Sequence, residues 1–227
     1  MSLFKAPISI TGISSISGIG SGLQSVSEAY KNDEHYLSFG AMDNQKVWLG
    51  ELSDRDKCAI KELKASNPKY RSLDNSVLYA IQASRNAVEN SGWSENSDFG
   101  INIGSSRGAT ALFENYHKTY VETGSTATLT SPTTTLGNIS SWVAQDLKNR
   151  GPAISHSITC STALHALLNG VAWIKGGMAD KFLVGGSEAP LTPFTIAQMQ
   201  ALKIYSKSNE AYPCRAFDLN KKQNTMV

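Results

Sequence analysis

The chain has 227 residues, with 21 Lys plus Arg against 19 Asp plus Glu, a formal net charge of +2. It is 41% hydrophobic and 18% charged, enough apolar content to bury the core of one large domain and too little charge bias for a disordered chain. The near balance of charge leaves no basic stripe for nucleic acid, and no apolar run reaches the ~20 residues of a membrane span.

In chain order, Ile8-Ser9-Ile10-Thr11-Gly12-Ile13 reads as a strand running into the turn Gly18-Ile19-Gly20-Ser21-Gly22. This turn fails the spacing of a dinucleotide-binding loop: position 23, where a third glycine belongs, is Leu23, and no acidic residue closes a second strand. A tight strand-to-helix turn is the better account. Residues 31–71 are charged and weakly periodic, a surface excursion with one helix around Asp54 to Leu63. From Asp74 to Asn90, Val77, Leu78, Ile81 and Val88 recur at helical spacing, and Ser91-Gly92 closes the run. Phe99, Ile101 and Ile103 mark a second strand before Gly104-Ser105-Ser106.

Residues 123–136, dense in Ser and Thr, read as an irregular loop. Ile139, Trp142, Val143 and Leu147 make a short amphipathic helix ended by Gly151-Pro152. A third strand is expected over Ile154–Thr159 and a fourth over Lys181–Val184. Between them, Ser161 to Ile174 is apolar nearly all round, the pattern of a helix covered on both sides. Strands alternating with helices predict an α/β fold around a mostly parallel sheet, and the absence of repeats or linkers favours one compact unit.

The three cysteines, Cys58, Cys160 and Cys214, are odd in number, widely spaced and without a CxxC pair, which argues against a disulfide scaffold or a zinc site. A reduced, cytoplasmic setting is expected, consistent with an N-terminus that lacks the features of a signal peptide. No cofactor or metal is expected. Asn138-Ile139-Ser140 matches a glycosylation acceptor by chance, inside a predicted helix. His35 and His117 read as surface imidazoles, and His165 as a hydrogen-bonded histidine in the apolar helix. A catalytic pair of Cys160 and His165 is disfavoured, because residues five apart lie about 140° from each other around a helix.

Cys160 stands where a strand ends and the apolar helix begins. A thiol there faces unpaired backbone N–H groups and the positive end of the helix dipole, the setting of a nucleophile. The strand–Cys–helix order also matches a nucleophile elbow. The competing account is a small hydrophobe filling a turn. Cys58 and Cys214 lie in polar context.

The stretch 157–193 resembles the nucleophile region of the β-ketoacyl-acyl carrier protein synthases. That family has a Cys-x-Ser/Thr-x-x-His-Ala run, an Ile-x-x-Gly-x-x-Asp helix end, Gly-Gly-x-Glu and Thr-Pro. The counterparts are Cys160, Thr162, His165, Ala166, Ile174, Gly177, Asp180, Gly185, Gly186, Glu188, Thr192 and Pro193. The opening ITGISSIS, Asn90-Ser91-Gly92-Trp93, Gly100 to Ser106 and Arg215-Ala216-Phe217-Asp218 resemble further family segments in the same order. The likeness therefore runs through nearly the whole chain.

The resemblance implies the N-terminal half of a thiolase-like α/β fold, with a mostly parallel mixed sheet covered by helices. Cys160 would take an acyl chain from an acyl carrier protein as a thioester. A malonyl thioester would then lose carbon dioxide and attack that acyl group, and the backbone N–H of Cys160 would be half of the oxyanion hole. In the family a second, similarly folded half supplies two histidines, a lysine and the other oxyanion donor. None of the four histidines here lies in such a motif. The chain thus reads as an N-terminal fragment or an interrupted gene product, inactive in condensation alone. Its apolar helix 161–174 would lose one covering layer, so it is expected to be stable as a homodimer or beside a ketosynthase-like subunit. Two readings compete with the condensing enzyme. One is a non-catalytic, chain-length-factor-like partner, against which the presence of Cys160 speaks. The other is a Cys-dependent hydrolase or acyltransferase of another fold, which would need a histidine base near Cys160.

Overall fold

The computed structural model describes residues 7–43, 45–94, 97–208, 210–220 and 227. In chain order the elements are β1 (Ile16–Ser17), β2 (Gly20–Ser21), α1 (Leu23–Ala29), β3 (Ser38–Met42), β4 (Gln45–Leu49), α2 (Asp54–Ser66), α3 (Asn75–Ser91) and β5 (Gly100–Gly104). They continue with α4 (Thr110–Thr123), α5 (Thr130–Thr134), α6 (Asn138–Asp146), β6 (Ala153–Ile154), α7 (Thr162–Lys175), β7 (Phe182–Gly186) and α8 (Pro193–Ala201). The chain gathers into two compact units rather than one: Met1–Ser15 with Ile60–Ala189, and Ile16–Ala59 with Pro190–Val227.

The first unit is built on a parallel three-stranded sheet in the order β6-β5-β7. Ile101 pairs with Ala153 on one side and Leu183 on the other. Every residue of β5 is buried, as a central parallel strand requires. The helix α3 follows the predicted span closely. Asp74 caps its start by accepting from Ser76 N at 2.9 Å, and Gly92 takes a left-handed φ of 66° at its end. Its Val77, Leu78 and Ile81 are wholly buried. The helix packs on α6, and a buried carboxylate joins the two across Asp146. Arg85 grips Asp146 through Nε at 2.8 Å and Nη2 at 2.6 Å, and Tyr70 Oη donates to it at 2.5 Å. Burial first, and then the Asp146 carboxylate, push the Tyr70 phenol above its ordinary range.

The second unit centres on an antiparallel hairpin of β3 and β4, in which Ser38 pairs with Leu49 and Met42 with Gln45. Val47 and Leu49 pack on Ile196 of α8 and on Tyr205, with Met42 and Met199 at the edge. Trp48 Nε1 donates to Ser208 O at 2.8 Å, and Tyr205 Oη donates to Trp48 O. The glycine-rich stretch forms the small β1–β2 hairpin and leads into α1, so it is a tight turn, though not one that follows a sheet strand.

Four sequence expectations are corrected. Residues 8–13 form no strand; they lie along α3, where a Cβ at Gly12 would stand 2.3 Å from Ala87 O, and they find no pairing partner among the described residues. The excursion 31–71 holds the β3–β4 hairpin as well as a helix. The Ser/Thr-rich loop contains α5, whose Thr133 and Thr134 hydroxyls bond back to the carbonyls of Leu129 and Thr130. The third strand stops at Ile154, because beyond it side chains rather than backbone hold the chain to β5.

Candidate active site

Residues 155–161 carry the chain from β6 to α7 in a sharp turn. Ser155 Oγ lies 3.1 Å from Ile103 O and 2.9 Å from Ser140 Oγ, beside the point where Ser140 Oγ accepts from Ile103 N at 2.9 Å. His156 Nδ1 is 3.0 Å from Asn102 Oδ1. Ser157 Oγ reaches Ser106 O at 3.5 Å. Thr162, the first helical residue, then locks the turn from below: its Oγ1 accepts from Ile158 N at 2.9 Å and donates to Thr159 O at 2.6 Å. Between these anchors Thr159 is held at a φ of 48°, an uncommon and strained conformation for a β-branched residue.

Cys160 follows Thr159 and precedes Ser161, the N-cap of α7, so it stands just outside the helix rather than on its first turn. Its side chain is exposed. The turn lies against the carboxyl end of β5: a Cβ at Gly104 would come within 2.2 Å of Thr162 Cγ2 and 2.7 Å of His156 O. The end of β7 meets the same place. Glu188 accepts from the Ser106 N–H and from its hydroxyl at 2.6 Å, and Ser187 N donates to Gly104 O at 3.0 Å. Carboxyl ends of parallel strands are where α/β proteins gather their functional groups.

The other residues singled out by sequence fall as follows. His165 is half-buried, with Nδ1 3.1 Å from Ser161 O, a ring tied to the first turn of its own helix. His117 is exposed, while His35 is half-buried between the edges of Trp48 and Tyr212 in the second unit, so the surface reading of His35 is corrected. Thr192 caps α8 by accepting from Thr195 N, and Pro193 begins that helix. Arg215 pairs with Asp218 at 2.7 Å and with Glu210 at 3.0 Å. Cys58 and Cys214 are exposed, like Cys160. Within this chain the helix α7 is covered on one face, as expected of a half without its second layer: Thr162, Ala166 and Gly170 are buried, and Leu164, Leu167 and Leu168 are 67%, 42% and 60% exposed. Sequence reasoning missed His156 and Asn102; the one signal was a histidine inside an otherwise β-like run.

Among the described residues no group of three His, Cys, Asp or Glu could hold a metal ion, and no helix is long and apolar enough to cross a membrane.

Known proteins resemble this chain along nearly all of its length. A 3-oxoacyl-[acyl-carrier-protein] synthase 2 of Vibrio cholerae is 27% identical over 216 residues, covering 91% of this chain and 51% of the relative. Nodulation protein E of Rhizobium meliloti is 26% identical over 94% of this chain and 53% of the relative. Among solved structures, a type II polyketide ketosynthase, described in complex with its acyl-carrier protein, superimposes with a TM-score of 0.78 at 20% identity. That match covers 96% of this chain and 54% of the other. The ishigamide ketosynthase/chain length factor matches with a TM-score of 0.73 at 17% identity, over 88% of this chain and 51% of the other. These structures share the thiolase-like α/β architecture. The chain spans about half the length of the curated relatives it matches. The model of the β-ketoacyl synthase N-terminal domain matches residues 5–226, and the chain belongs to that family.

Proposed function

We propose that this chain is the nucleophile-bearing half of a β-ketoacyl synthase, and that Cys160 is its acyl acceptor. The single observation that carries the reading is the exposed Cys160 on a strained, side-chain-anchored turn, between the end of a parallel sheet and the start of α7. The Cys160 sulfur attacks the carbonyl of an acyl thioester presented by an acyl carrier protein. The carbonyl oxygen takes up negative charge beside the Cys160 N–H, and collapse of the adduct expels the carrier thiol. In the second step a malonyl thioester loses carbon dioxide, its enolate carbon attacks the acyl carbonyl, and the Cys160 sulfur leaves. That step belongs to the complete synthase, in which this half works beside a second ketosynthase-like half. The chemistry takes place in solution, without a cofactor.

The test is acylation from an acyl-carrier-protein thioester, followed by intact mass. A single acyl adduct is expected on the chain and on its Cys58→Ser and Cys214→Ser variants, and none on Cys160→Ser. An adduct that survives Cys160→Ser would sink the assignment. The chain-length-factor-like reading draws on the ishigamide neighbour, and the exposed thiol counts against it. The bare leucines of α7 support association in either reading, through a homodimer or a ketosynthase-like partner. A monodisperse monomer in sedimentation at high concentration would count against association.

A further inference from the structure

The buried strand β5 carries one polar side chain where apolar ones surround it. Asn102 is 0% exposed, between Ile101 at 0% and Ile103 at 4%. Its Oδ1 meets His156 Nδ1, while Asn102 Nδ2 and His156 Nε2 are both buried without a hydrogen-bond partner among the described residues. An unpaired buried donor and an unpaired buried acceptor each cost stability, and replacing both partners by apolar groups of similar shape is close to neutral or stabilising. Stability therefore does not account for the pair.

Its position does. The turn that presents Cys160 is fixed to β5 and its following residues by successive side chains: Ser155 to Ile103 O, His156 to Asn102, and Ser157 to Ser106 O. The link of His156 is the only one of the three that runs side chain to side chain, and it reaches the middle of β5 rather than its backbone. The turn also has no slack, since the His156 carbonyl and the Thr162 methyl both crowd the Cα of Gly104. We propose that His156 is a positioning residue, which through Asn102 sets how the turn 157–161 sits on β5 and so where the Cys160 sulfur points. The inference rests on Cys160 as the nucleophile for its purpose, and on the Asn102–His156 contact for its content.

Hydrogen exchange read by mass spectrometry tests it on the whole chain, comparing peptides over 157–163 with peptides over α3. His156→Leu is expected to speed exchange in the turn by about tenfold while leaving α3 unchanged. His156→Asn, which still offers an N–H to Asn102 Oδ1, is expected to keep turn exchange within about threefold of the parent. Turn exchange that is unchanged in His156→Leu, or no better in His156→Asn than in His156→Leu, overturns the proposal. If His156→Leu also loosens α3, the double replacement Asn102→Leu/His156→Leu decides. It is expected to keep α3 protected and the turn loose. A protected turn, or an unprotected α3, then overturns the proposal. Exchange reads the turn and not the thiol, so a Cys160 that takes no acyl group refutes the function and leaves this measurement to stand by itself.

Discussion

Both α3 and α7 are helices of the first unit with many apolar residues, yet they bury different things. The helix α3 puts its large residues inward: Val77, Leu78 and Ile81 are fully buried, and its ends are capped by Asp74 and Gly92. The helix α7 puts its small residues inward, and its leucines at 164, 167 and 168 face outward. A Cβ at Gly170 would stand 2.7 Å from Val184 Cγ1, and one at Gly186 2.9 Å from Ala163 Cβ. Small residues at these contacts let α7 lie close on β5 and β7, which sets its N-terminal turn on the strand ends. One helix holds the unit together by volume; the other is placed by its lack of it.

The comparison breaks most readily at α3. Leu78→Ala, at a wholly buried site, is expected to cost about 2–5 kcal/mol in urea unfolding, because the cavity adds to the lost transfer energy. If it costs no more than a surface change, α3 does not hold the unit together. At the foot of α7 the sensitive change is an addition. Gly104→Ala drives a methyl group into Thr162 and the His156 carbonyl, and is expected to cost about 1–3 kcal/mol. It should also slow acylation of Cys160 without affecting alkylation of Cys58.

Next comes the polar joint between α3 and α6. Tyr70→Phe removes one bond to a carboxylate that Arg85 still holds, an expected loss of about 1–2 kcal/mol at neutral pH. The fold raises the Tyr70 value, so it favours the protonated phenol. That contribution is full below the ordinary tyrosine value of about 10 and fades as pH rises through the folded-state value. The alkaline fall in stability should therefore be shallower in Tyr70→Phe, and not abolished, since burial raises Tyr79 and Tyr205 too. The smallest effect belongs to the outer face of α7. Leu164→Ala and Leu168→Ala are expected to change the stability of the chain by no more than about 0.5 kcal/mol, and to reduce its self-association in sedimentation.

What could be read in advance follows from how local the determinants are. The span of α3 was legible because its stripe and both caps lie within residues 74–92. The strands β5 and β7 were legible as apolar runs ending in glycine. The place of Cys160, between a β-like run and an apolar helix, came through as well, although the strand ends six residues before it. The β3–β4 hairpin was hidden because its core partners, Ile196 and Tyr205, are about 150 residues away in sequence. The two-sided apolar pattern of α7 was legible too: its small residues are covered in this chain, while its leucines form the bare face expected of a half that lacks one covering layer. His156 escaped notice since its partner, Asn102, is 54 residues away and sits in a strand that otherwise reads as core.

The most direct test of Cys160 as the nucleophile is the rate of carbamidomethylation by iodoacetamide at each cysteine of the folded chain, followed by peptide mass. All three side chains are exposed, so access alone predicts similar rates. The account predicts that Cys160, presented on the strained turn before α7, reacts about tenfold faster than Cys58 and Cys214. Equal rates at the three sites would contradict it.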